Sequence, residues 1–148
     1  MNSMEQQLYG HLRFEQQLLE ELVRLARKQQ TALVNYNVTE LEEITAFQDE
    51  LIKNVRNAEE KRINLITAWF GISRKDAANL RLSSLEQYIK NEDISYDIKN
   101  MRENMNDLLE QLQNLNITNN LLINRANAGI KEIVTAITGG KSVCNATV

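Results

Sequence analysis

The side chains that could do chemistry are few and scattered. One histidine, His11, sits in "YGHLRF", and no Glu-x-x-His pair of the kind that builds a metal site inside a helical bundle is present. It reads as an ordinary helix position. The one cysteine, Cys144, has no histidine near it in sequence, so it reads as an idle thiol, and no internal disulfide can form. The glutamate pairs Glu20-Glu21, Glu42-Glu43 and Glu59-Glu60 recur at solvent-facing spacing, with Arg24 and Arg62 within a turn of two of them. Paired acid–base carboxylates are the remoter alternative. No glycine-rich loop follows a strand. These residues imply no catalytic site, no metal and no cofactor. Trp69-Phe70 before Gly71 reads as a plug for one end of a bundle, with an exposed aromatic anchor as the alternative. Met101 and Met105 read as core, with adaptable contact surface as the alternative.

The elements that would position such residues are helices. The 148 residues contain no proline, and of the five glycines only Gly71 and the Gly139-Gly140 pair look like helix stops. Leu8, Leu12, Leu19, Leu22, Ala26 and Leu33 follow three-and-four spacing, widened by Leu18 and Leu25. Leu41, Ile44, Gln48, Leu51, Val55, Ala58, Arg62, Leu65 and Trp69 keep it strictly. Ile94, Ile98, Met101, Met105, Leu108, Leu112, Leu115, Asn119, Leu122, Ala126, Gly129 and Ile133 sustain it over more than five heptads, which no strand could imitate. Ser3 with Gln6, and Thr39 with Glu42, have capping-box spacing. Ser73 with Asp76 and Ser83 with Glu86 repeat it ahead of two shorter segments. The fold predicted is all-α and one domain, 1–148. An antiparallel hairpin (4–34 and 40–70) is followed by short connector helices within 74–90 (74–80 and 84–90). One long C-terminal helix, 93–137, completes a coiled-coil-like bundle, and 138–148 form a tail.

Charge and hydropathy exclude several functions. The net charge of −3 is spread over both signs, so no field favours nucleic acid or an anionic membrane. No stretch of about 18 apolar residues is present, which argues against membrane insertion. "MNSMEQQLYG" lacks the apolar run of a signal peptide, so the expected location is cytoplasmic. The sequons at Asn37, Asn116 and Asn145 are then idle.

One stretch remains unexplained by a plain bundle: "LNITNNLLINRANAGIKEIV", residues 115–134. It carries five asparagines and a glycine, and between Gln111 and Ile130 only Arg125 is charged. The two hairpin helices come to about 46 Å each and the third to about 67 Å, so its last 20 Å or so overshoots the hairpin. A second stripe, Asn116, Ile123, Ile130 and Ile137, with Val134 beside it, widens the apolar seam into a band that needs cover. Three coverings fit: a foreign segment, helices one and two, or a second copy of the chain. Neutral amides suit the first, because they donate to and accept from another backbone without a charge to desolvate. Asn119 falls on the seam itself, where a polar residue fixes register.

The chain resembles the FlgN family of flagellar type III export chaperones. The likeness lies in "LLEELVRLARKQQTALVNYNVTELEEITAFQDELI", Leu18 to Ile52, in the connector and long last helix, and in Leu115-Asn116-x-x-Asn119-x-x-Leu122-Ile123. It implies that the C-terminal helix binds the C-terminal segments of flagellar hook–filament junction proteins and presents them to the flagellar export apparatus. The site it implies comprises Leu115, Asn116, Asn119, Leu122, Ile123, Ile130, Ile133, Val134 and Ile137. Docking would be helix-in-groove, and the asparagines with Gly129 would keep the segment only marginally helical until it is filled. The alternative is a coiled-coil scaffold or adaptor, a homodimer when cargo-free, closed through the same band.

Overall fold

The computed structural model describes residues 3–138, with side chains described up to Arg125 and again at Thr135 and Ala136. Five helices and no strand occur among the described residues: α1 (Met4–Val34), α2 (Val38–Phe70), α3 (Arg74–Asn79), α4 (Leu82–Glu86) and α5 (Glu92–Thr138). The all-α expectation holds. The expected tail and the Gly139-Gly140 stop lie outside the described residues.

Local chemistry sets most of the boundaries. Ser3 and Gln6 form the expected capping box at the start of α1. Gly71, in the left-handed region at φ 65°, ends α2 as expected, its N–H donating to the Thr67 carbonyl at 2.9 Å. Ser73 caps α3 by accepting from the Asp76 N–H at 3.1 Å. Two expected caps are corrected. α2 begins at Val38 because Asn37, not Thr39, accepts the Glu40 N–H. α4 starts one residue ahead of Ser83, and its first residue follows Arg81, which makes no side-chain cap bond.

The cause of the first correction is the turn. Tyr36 takes φ 54°, and the N–H groups of Tyr36 and Asn37 donate to the carbonyls of Leu33 and Ala32. That is a complete Schellman closure with a tyrosine where glycine is usual. It delivers the chain to Asn37 in a non-helical conformation, ready to cap.

α1 is the central helix. It packs along both α2 and α5, whereas α2 and α5 make no close backbone approach among the described residues. α5 therefore lies on α1. Its direction follows from side-chain bonds. The Glu5 carboxylate accepts the N–H groups of Lys90 (2.6 Å) and Asn91 (3.4 Å), Gln16 donates to Asn104 (2.7 Å), Arg27 to Gln111 (2.8 Å), and Asn119 to the Ala26 carbonyl (3.0 Å). Apart from the long Arg27 side chain, which reaches back to Gln111, residue numbers rise together, so α5 runs parallel to α1 and antiparallel to α2.

The apolar core is concentrated at the α3–α4 end. Leu8, Leu12, Ile63, Ile66, Leu85 and Ile98 are among its buried members. Trp69 stacks on Phe70 with centroids 4.7 Å apart, and Phe70 meets Tyr88 edge-on at 5.2 Å, so this pair packs against the core's end as expected. The smaller cluster at the other end, Leu25, Ala32 and Ile44, joins α1 to α2 alone. After Met101, α5 contributes no side chain to either cluster among the described residues.

Candidate functional site

With the core at one end, something else must hold α5 at the other. The polar gaps in the leucine rows do part of this. α1 is interrupted at Glu15 and Gln29, and α2 at Gln48 and Arg62. Arg62 Nε donates to Glu15 Oε1 at 2.9 Å, and Gln48 Nε2 to Gln29 Oε1 at 3.3 Å. In both pairs, 15 with 62 and 29 with 48, the residue numbers add to 77, as one antiparallel register requires. Asn119 of α5 joins the second layer, donating from Nδ2 to Gln29 Oε1 at 3.1 Å as well as to Ala26.

Asn119 is only 2% exposed. Among the described site residues implied by resemblance it is the one that is buried, facing α1 through Ala26 and Gln29. Its neighbours are placed differently. Leu115 and Leu122 are half-buried on either side of it, while Asn116 and Ile123, one position round the helix, are exposed. Ile117, 60% exposed, and Leu121, 54% exposed, extend the open surface. These two escaped the sequence reading, although their four-residue spacing within the charge-poor stretch was a usable signal. The side chains of Ile130, Ile133, Val134 and Ile137 lie outside the described residues.

Register converts these facts into a length. The Gln16–Asn104 and Ala26–Asn119 bonds set Val34, the last residue of α1, level with about residue 124 of α5. α5 continues to Thr138, some 20 Å further at 1.5 Å per residue. The exposed residues Ile117, Leu121 and Ile123 thus lie just before the point where α5 outruns its support.

The face can be assigned too. Arg102, Leu109, Asn116 and Ile123 recur every seven residues, so they share one side of α5. Arg102 and Leu109 line a trough together with Arg62 of α2, which turns that side toward α2. Glu86 of α4 accepts from Arg102 Nε at 2.5 Å, a bond that holds the guanidinium still more firmly protonated than usual.

The arrangement offers little for chemistry. Among the described residues no three His, Cys, Asp or Glu side chains gather as a metal site, and no helix is long and apolar enough to cross a membrane. Cys144 lies outside the described residues. What the surface offers is aliphatic side chains and neutral amides on a helix covered on one side only.

A family model described as FlgN protein matches residues 1–147. No curated protein and no solved structure matches the chain. The chain belongs to the FlgN family of flagellar export chaperones.

Proposed function

We propose that this chaperone binds the C-terminal helical segment of flagellar hook-associated (hook–filament junction) proteins on the open side of α5, from Asn116 onward. Holding that segment prevents premature assembly, and the loaded chaperone delivers its cargo from the cytoplasm to the flagellar type III export apparatus. The observation that carries this reading is the exposure of Ile117, Leu121 and Ile123 just before α5 runs past the end of α1. Aliphatic side chains of that number on one stretch gain about 25 cal/mol per Å² when another apolar face covers them. An amphipathic helix laid alongside covers Ile117 and Leu121, which are four residues apart, while Ile123 lies on the neighbouring side of α5 that carries Asn116. Asn116 and the neighbouring amides supply neutral donors and acceptors at the edge.

The test is capture of purified hook–filament junction protein by the full chain carrying Ile117→Asp, Leu121→Asp and Ile123→Asp together. Capture is expected to be lost while cooperative melting is kept. Retained capture, or a chain that unfolds outright, overturns the reading. So does a tight dimer in light scattering that the same substitutions dissolve, since the band would then serve self-association.

A further inference from the structure

The trough beside α5 lies on the side of that helix that carries Asn116 and Ile123. It has a volume of about 360 Å³ and is floored by Leu12 and Glu15 of α1. Its walls include Arg62 of α2, Met105 and Leu109 of α5, and Arg81 at the start of α4. Leu109 is 41% exposed, so the trough opens to solvent along α5. The charges do not cancel. Arg62 is neutralised by Glu15 and Arg102 by Glu86, whereas the Arg81 guanidinium has no hydrogen-bond or ion-pair partner among the described residues. The lining is thus mixed: Leu12, Leu82, Met105 and Leu109 stand among polar side chains, and Arg81 is its one arginine without a partner among the described residues.

We infer that this trough receives an apolar side chain and a nearby carboxylate from the exported partner's amphipathic helix, the apolar group against Met105 and Leu109 and the carboxylate on Arg81. The inference rests on the proposed function, and it extends that site toward the α3–α4 end. Two observations select this occupant. An unpaired arginine next to aliphatic side chains complements an acidic amphipathic segment, and arginine's planar fork suits a carboxylate. The trough also continues the side of the docking site that carries Asn116 and Ile123: Leu109 and Ile123 lie two heptads apart on that side of α5, about 21 Å. One partner helix of about 15–20 residues lying along α5 reaches both. Because α2 and α5 make no close backbone approach, the space beside Leu109 is not closed by the hairpin.

The experiment is titration calorimetry of full-length chain with purified hook–filament junction protein, at low and high salt. Arg81→Glu is expected to weaken binding about tenfold and to flatten its salt dependence, while Arg81→Lys stays within about threefold. Leu109→Ser is expected to weaken binding by a similar factor without altering the salt response. Arg81 is exposed and makes no side-chain cap, so melting temperature should not move in its variants. If Arg81→Glu and Leu109→Ser leave affinity unchanged while the Ile117/Leu121/Ile123 aspartate variant abolishes it, the trough is idle and the docking face stands. If the unaltered chain does not bind that protein, both proposals fall together.

Discussion

The amide of Asn119 on α5 donates to Gln29 on α1 at 3.1 Å and to the Ala26 carbonyl at 3.0 Å, while its own Oδ1, fully buried, has no partner among the described residues. Gln29 also receives the Gln48 amide of α2. One polar layer therefore ties all three long helices at the end where the apolar core does not reach. Register is gained at the cost of an unsatisfied carbonyl.

That imbalance makes opposite predictions for two similar substitutions. Asn119→Leu removes the buried lone oxygen and adds apolar burial, so it is expected to stabilise the chain by about 1 kcal/mol. Asn119→Asp replaces the donating amide by a second acceptor against two acceptors, and is expected to cost about 3 kcal/mol. Urea denaturation of both variants checks the pair. A neutral Asn119→Asp would mean that the amide does not donate as described.

Much of this was legible in the sequence, for a physical reason. Helical period and glycine stops are local, so the five elements follow from spacing alone, and Asn119 appears on its seam by counting. The gaps at Gln48 and Arg62 were visible as well, but their partners Glu15 and Gln29 become apparent only when both leucine rows are placed in antiparallel register. The start of α2 was misplaced because Tyr36 gives no outward sign of a left-handed conformation. The face shared by Leu109 and Ile123 was readable as a heptad, yet the trough depends on where α4 folds back, and that is tertiary.

The Glu15–Arg62 pair tests the other polar layer. Its side chains are 11% and 20% exposed, so desolvation is nearly complete on one side and partial on the other. Removing either partner strands the remaining one. Arg62→Ala is expected to cost about 2 kcal/mol, at the low end for a buried pair because of the residual exposure. Replacing both together, Glu15→Leu with Arg62→Met, should return stability to within about 1 kcal/mol of the original. A double-mutant cycle by denaturant unfolding measures the coupling.

Tyr36 carries backbone strain that a smaller residue would relieve. Its side chain is 76% exposed, so the ring adds little packing to offset φ 54°. Tyr36→Gly or Tyr36→Asn is expected to raise stability by about 0.5–1 kcal/mol, the gain being limited for glycine by its greater freedom in the unfolded chain. Thermal melting reads this directly. A loss on substitution would show that the ring is held by contacts stronger than the strain.

The two ends of α5 should respond unequally to the same kind of damage. Ile98 is fully buried in the main cluster, against residues from α1, α2 and α4, so Ile98→Ala removes transfer energy and leaves a cavity. The expected cost is about 3 kcal/mol. Ile117 and Leu121 are more than half exposed and belong to neither cluster, so alanine there should change stability by no more than about 0.5 kcal/mol. If the exposed pair instead proved as costly as Ile98 in the purified chain, a second copy would have to be covering them, and the dependence of unfolding on protein concentration would reveal it. A concentration-independent transition with the unequal costs is the expected outcome. It would leave that surface uncovered in the free chain, available to the cargo.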